Sequence, residues 1–221
     1  MQHEPPVQME VKSNGHVETF DDYPVPGTQM VQYHLHPRGF GLAGELEDAP
    51  FQSRWSRSDY INSYLDTLAD SGIPVISQLV EQFDIPTTAY IPAISRLNGV
   101  WYETNRLDRT MKIRGNANLT LQFEPLNSQV QVVAYLYDMK PSGMGTLITH
   151  APFTLPVTQS GKAITLDFDL LATAYDVPQG HKLVLAIDTQ DSSYGKLPDS
   201  KFKLKIKYHS GQQSVLKLPV L

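Results

Sequence analysis

From Trp101 onward apolar side chains recur at every second position, and this period of two constrains the fold more than any other feature of the chain. Leu119, Leu121 and Phe123 alternate with Thr120 and Gln122. Ile164, Leu166, Phe168 and Leu170 alternate with Thr165, Asp167 and Asp169, and Phe202, Leu204, Ile206 and Tyr208 with Lys201, Lys203, Lys205 and Lys207. Successive side chains on a strand point to opposite faces, so each run buries one face and wets the other. Between these runs lie Gln129–Tyr137, Gly145–Thr149, Leu183–Ile187 and Val215–Val220, short β-rich stretches bounded by Pro, Gly, Asn or Asp. About seven strands at intervals of roughly 8–20 residues, with no helix between them, predict an antiparallel sandwich or jelly roll. One-sided alternation argues against a parallel sheet covered on both faces. No repeat of roughly 20–50 residues is visible, which disfavours a propeller or solenoid.

The first hundred residues read differently. Pro5, Pro6, Pro24, Pro26 and Pro37, with Gly15, Gly27, Gly39, Gly41 and Gly44, leave room for loops and short extended segments, of which Gln29–Leu35 is the best strand. Next, Ser58 or Asp59 can cap a helix whose apolar residues Ile61, Tyr64, Leu65, Leu68 and Ala69 follow helical spacing, with Gly72 as the stop. Pro74 suits the first turn of a second helix carrying Ile76, Leu79, Val80 and Phe83, ended by Asp84-Ile85-Pro86. The expected organisation is a Pro- and Gly-rich junction with the first strands over 1–50, a helical insertion over 51–98 and the main β-sandwich over 99–221. Together they make one structural domain, since 221 residues suffice to bury a full core.

Composition removes several function classes. With no Cys there is no disulfide scaffold, thiolate metal site or thiol nucleophile. The net charge of −5 argues against nucleic acid as a partner. It is unevenly spread, net −8 over residues 1–100 and +3 over 101–221. The apolar run Val132–Leu136 is far shorter than the ~20 residues of a membrane span, so no membrane partner is expected. Met1-Gln-His-Glu-Pro-Pro6 lacks a basic and apolar leader, so no signal peptide is visible and the compartment stays open.

A search for chemistry finds no G-x-S-x-G elbow, P-loop or H-E-x-x-H. Gly39, Gly41 and Gly44 formally spell G-x-G-x-x-G, but acidic Glu45-Leu-Glu-Asp48 follows where a dinucleotide phosphate needs a positive helix end. His34 and His36 share a strand face without a third ligand, so no metal site is assigned. Asp167 and Asp169 read as a solvated face, and the Lys201–Lys207 ladder as an edge or outer strand guarded against aggregation. Trp55, Trp101 and Tyr102 are candidates for a sugar- or peptide-stacking platform, against the plainer reading that strand aromatics belong to the core. Asn118-Leu-Thr120 fits the glycosylation sequon, which carries meaning only in a eukaryotic secretory setting. No catalytic, cofactor-binding or metal-ligating residue is assigned, and no cofactor is expected.

At Val177-Pro-Gln-Gly-His-Lys-Leu-Val-Leu-Ala-Ile-Asp188 the chain resembles the C-terminal, non-catalytic β-sandwich of X-Pro dipeptidyl-peptidases and cocaine-esterase-like (CocE/NonD) serine hydrolases. The resemblance extends to Gln131-Val-Val-Ala-Tyr-Leu-Tyr-Asp138, a central strand ending in Asp; to Ile113-Arg-Gly115 with Leu119-Thr-Leu121; to Asp22-Tyr-Pro-Val-Pro26; and to Leu218-Pro-Val220. It implies a mainly β, galactose-binding-like jelly roll with a short helical insertion. It also implies an accessory role beside an α/β-hydrolase catalytic domain in cis, which would act on a peptide or ester substrate. Gly180 and His181 are read as structural, Gly180 for a tight turn and His181 for a hydrogen bond at the strand entrance. The family's Ser–Asp–His triad belongs to the preceding hydrolase domain, so no catalytic residue carries over. The abrupt Pro-rich start suggests an excised segment. The alternative is a free-standing carbohydrate- or peptide-binding module, since jelly rolls host such sites.

Overall fold

A computed structural model of the chain describes residues 6–39, 43–62, 88–94, 99–126, 129–156, 160–189, 203–211 and 213–221. Among the described residues are sixteen strands and one 3-10 turn. In chain order the strands are β1 (Val7–Val11), β2 (His16–Phe20), β3 (Gln29–His36), β4 (Gly44–Glu47), β5 (Arg57–Asn62) and β6 (Thr88–Tyr90). After the 3-10 turn Ile91–Ala93 come β7 (Gly99–Glu103), β8 (Met111–Gly115), β9 (Asn118–Pro125), β10 (Gln129–Met139) and β11 (Met144–Pro156). The last are β12 (Ile164–Asp169), β13 (Thr173–Val177), β14 (Lys182–Asp188), β15 (Lys203–Tyr208) and β16 (Val215–Val220).

The hydrogen-bonded order runs β2-β1-β13-β8-β16-β3-β4-β7-β14-β10-β11-β6, and β9 branches from β16 to hold β12 and β15. The sheet turns back on itself as a β-sandwich. One cluster of buried side chains joins Leu119, Leu121 and Phe123 of β9 and Leu204 and Ile206 of β15 to Val132, Ala134 and Leu136 of β10 and Leu183 and Leu185 of β14. Strand pairing is antiparallel with two exceptions among the described residues: β1 runs parallel to β13, and β4 to β7.

One-sided alternation holds on β9, where every second residue is buried, and on β12 and β15. It fails on β10, where every residue from Val130 to Met139 is buried. Its second face, Val133, Tyr135, Tyr137 and Met139, packs with Trp101 of β7, Val184 and Ala186 of β14, and Ala89 and Ile91 from the β6 segment. A strand covered on both sides reads as a continuous apolar run.

Two local expectations are corrected. The helix placed from Ser58 begins instead as β5, which pairs antiparallel with β15 from Arg57↔Tyr208 to Asn62↔Lys203. The reason is tertiary: Asp59, read as a cap, accepts a hydrogen bond from the Tyr208 hydroxyl at 2.8 Å and from Arg38 Nε at 3.1 Å. The rest of the two-helix reading, through Pro86, lies outside the described residues. The lysine-bearing strand β15 is also no edge, since it pairs with β5 on one side and β9 on the other. Lys205 and Lys207 reach Glu124 of β9 at 3.7 and 2.6 Å, so that face is a ladder of opposite charges.

A fully buried arginine fastens the N-terminal hairpin to this body. Arg114 of β8 pairs with Glu18 of β2 at 2.6 and 2.9 Å and with Asp176 of β13 at 2.8 Å, and donates to the carbonyl of Ile113. Its hydrogen bond holds the Glu18 carboxyl below its ordinary range, and the two carboxylates keep the Arg114 guanidinium charged against burial.

Candidate functional site

The Gly180-His181 turn and Asp138, both singled out in sequence, converge where β7 and β10 end and β14 begins. Gly180 has φ of +82°, the left-handed turn expected of it, with open space where a Cβ would lie. Its N–H donates to the Leu107 carbonyl and its own carbonyl accepts from Arg106 Nη1 at 2.8 Å, which stitches the β13–β14 turn to the segment after β7. His181 follows, with Nδ1 at 2.7 Å from Asp138 Oδ1, while the Tyr175 hydroxyl donates to Asp138 Oδ2 at 3.1 Å. Asp138 is 3% exposed, so its carboxylate is satisfied by these two partners inside the protein. Burial and this carboxylate push the Tyr175 phenol well above its ordinary range. The Gly-His turn and the central strand ending in Asp, two separate parts of the resemblance, therefore meet in one pair, its Asp buried and its His partly so.

Beside this pair opens a cleft of about 430 Å3 lined by residues of β6, β7, β10 and the turns around them. It is backed by Ile91, Trp101 and Met139, and its rim holds Glu103, Arg106, Lys140 and Lys182. Lys182 Nζ lies 2.5 Å from Glu103 Oε1. Sequence reasoning missed Arg106 and Lys140, because no motif marks a side chain that only the fold brings to a rim. A second cleft, of about 660 Å3, lies between β3, the segment before β8 and the C-terminus, with Tyr33, Leu107, Met111 and Leu221 among its walls.

The three aromatic candidates are not brought together. Trp55 is 81% exposed in the loop before β5, whereas Trp101 and Tyr102 are buried. As strand neighbours, Trp101 and Tyr102 point to opposite faces, Trp101 into the outer cluster and Tyr102 into the main core. The Tyr102 and Tyr208 hydroxyls are 2.6 Å apart, and Tyr208 gives its proton to Asp59, so Tyr102 donates to Tyr208. Burial drives both phenols far above their usual range.

The remaining polar candidates find local partners. His34 sits 3.0 Å from the Gln32 amide, and His36 Nε2 donates to the Ala49 carbonyl at 2.9 Å. Burial lowers the His34 imidazole below its ordinary value. Among the described residues no three His, Asp or Glu side chains are grouped to hold a metal. The Asn118 amide donates to Asp167 at 2.7 Å and Asp169 at 2.9 Å, which occupies the nitrogen a glycan would need. Gly44 opens a strand, not a helix, and packs flat on the Tyr102 ring. No helix among the described residues is long and apolar enough to cross a membrane.

Residues 1–213 match the model of a family described as the X-Pro dipeptidyl-peptidase C-terminal non-catalytic domain. No curated protein matches the chain in sequence. Among solved structures, a selenomethionine-labelled α-amino acid ester hydrolase superimposes with a TM-score of 0.77 at 15% identity, over 98% of this chain and 41% of its own. A CocE/NonD family hydrolase from Staphylococcus aureus gives 0.71 at 13%, over 100% of this chain and 42% of its own. An aminopeptidase from a marine sediment Thaumarchaeota archaeon gives 0.72 at 10%, over 98% and 40%. The chain thus spans 40–42% of the length of these structures, and at such identities the likeness is one of fold.

Proposed function

The chain belongs to the X-Pro dipeptidyl-peptidase C-terminal non-catalytic domain family, and we propose that it packs in cis on the catalytic domain of an α/β serine hydrolase and shapes the entrance for a peptide or ester substrate. The family match over residues 1–213 carries this reading. Superposition on two fifths of three hydrolase-type structures supports it. So does the surface: Trp55, 81% exposed, stands beside Arg54 and Arg57, and Tyr60 on β5 is 50% exposed. Trp, Tyr and Arg are the side chains that most often anchor protein interfaces. A carbohydrate-binding module would need an aromatic platform, and of its three candidates only Trp55 is accessible.

The test is direct. The 221-residue chain, incubated with X-Pro dipeptide anilides and aryl esters and probed with a fluorophosphonate, is expected to show background turnover and no label. Turnover abolished by a single Ser→Ala change in this chain would overturn the reading.

A further inference from the structure

We propose that the cleft backed by Trp101 binds the C-terminal end of a short peptide, its carboxylate on Arg106 and Lys140 and its last side chain against the apolar wall of Tyr90 and Pro92. The volume, about 430 Å3, lies within the range of roughly 300–1,000 Å3 typical of small-ligand sites. Ile91, Trp101 and Met139 are 0, 2 and 8% exposed, so they back the cleft from the core and leave Tyr90, 51% exposed, and Pro92 as its accessible apolar wall. Met139 adds an unbranched chain that adapts to different apolar groups.

The wall is held in place before any ligand arrives. Gly143 has φ of +88°, and a Cβ there would meet the Tyr90 ring at 2.9 Å and Pro92 at 3.2 Å. Its N–H donates to the Lys140 carbonyl, and its carbonyl accepts from Ile91 N–H at 3.0 Å. The turn from Lys140 to Gly143 therefore lies flat on Tyr90 and Pro92, and Lys140 is carried on a short, tied loop. Preorganisation of this kind lowers the ordering cost of binding.

Charge identifies the ligand. Glu103 is the one acid among the described lining residues, and Lys182 neutralises it. Arg106 donates to the Gly180 carbonyl, and no carboxylate among the described lining residues is left for it or for Lys140. Two cations with no carboxylate partner among the described lining residues, at the mouth of an apolar cleft in a chain of net charge −5, select an anion with an apolar body. A guanidinium suits a planar carboxylate. The adjoining Glu103–Lys182 pair offers an acceptor and a donor side by side, which matches a peptide unit better than a fatty or aryl acid.

The chain has two tryptophans, so Trp55→Phe leaves Trp101 as the sole reporter at the back of the cleft. Titration with N-acetyl-Ala-Leu is expected to change Trp101 emission saturably. Binding should be at least about tenfold weaker for the C-terminal amide and for the free acid on Lys140→Gln or Arg106→Gln, each losing a charge-assisted contact. The Lys140 side chain lies on an exposed turn, so its variant should keep the native circular dichroism. Equal binding of acid and amide, an unchanged affinity in Lys140→Gln, or no emission change at millimolar peptide would each overturn the proposal. Competition by inorganic phosphate as strong as by the peptide would reduce the site to a simple anion site and overturn it too. These measurements need no catalytic partner, so their failure leaves the accessory role standing.

Discussion

Substituting Met for Arg114 keeps much of the side-chain volume but leaves Glu18 and Asp176 without the cation between them. Arg114 is 0% exposed, while the side chains of Glu18 and Asp176 are 24% and 21% exposed. Removing one partner of a buried ion pair costs about 3–5 kcal/mol, and the water reaching both carboxylates places this case near the lower end, about 3 kcal/mol. In a domain of this size each kcal/mol moves Tm by about 2–4 °C, so the expected fall is about 6–12 °C at pH 7.

The pH dependence gives the reasoning its sharper test. The Glu18 carboxyl is held below its ordinary value of 4.5 chiefly by its hydrogen bond to Arg114. A carboxylate depressed in the folded state adds stability above its unfolded pKa and loses it as pH falls through the folded one. The native protein therefore loses this contribution on acidification below about 4.5. In Arg114→Met the two carboxylates repel, protonation relieves them, and the gap between variant and native protein should narrow between pH 7 and pH 4. Urea unfolding at both pH values measures it. A loss under about 1 kcal/mol at pH 7, the scale of an exposed pair, or a gap that stays constant or widens at pH 4, would refute the argument. Adding Glu18→Gln and Asp176→Asn to Arg114→Met should recover part of the loss, because the stranded charges are then gone.

Two further predictions follow from packing and burial. In Gly44→Ala the new Cβ would stand 2.5 Å from the His36 carbonyl oxygen and 2.5 Å from the Tyr102 ring; with backbone on one side and a core aromatic on the other, a loss of about 1–3 kcal/mol or more is expected, and an unchanged urea midpoint would count against it. Tyr102, Tyr175 and Tyr208 have folded pKa values raised above 10 by burial; their contribution is complete below the unfolded value and is lost as pH rises above it, so stability should decline above pH ~10 and these phenols should ionise only with unfolding, and full reversible titration of every tyrosine near 10 in the folded protein, followed at 295 nm, would contradict this.

What was legible in the sequence is what alternation can express. Strands β9, β12 and β15 each bury one face, and the period of two gave their core residues by number, Leu119 through Tyr208. The helix expected from Ser58 fails for a reason no local window holds. Asp59 looks like a cap until Tyr208, 149 residues away, takes its carboxylate and β15 takes its backbone. The stacking platform had a flaw visible in advance: Trp101 and Tyr102 are adjacent on an expected strand, and adjacent strand residues cannot share a face. The cleft was not legible at all. Its rim joins Glu103 and Arg106 to Lys140 and Lys182, from three different strand ends, and spacing along the chain does not encode that meeting.

The resemblance became readable at the same places for a physical reason. At 10–15% identity most pairs of equivalent positions differ, yet the superpositions keep TM-scores of 0.71–0.77. Such a fold survives on binary patterning plus a few side chains whose alternatives are costly. Asp138 and His181 meet that condition, because without His181 the buried Asp138 carboxylate keeps only the Tyr175 hydroxyl. Gly180 meets it through a positive φ, and Arg114 through the two carboxylates it neutralises. The motif segments therefore mark where the fold is anchored, and a residue outside them on an exposed turn, such as Lys140, is where function can differ between chains that share it.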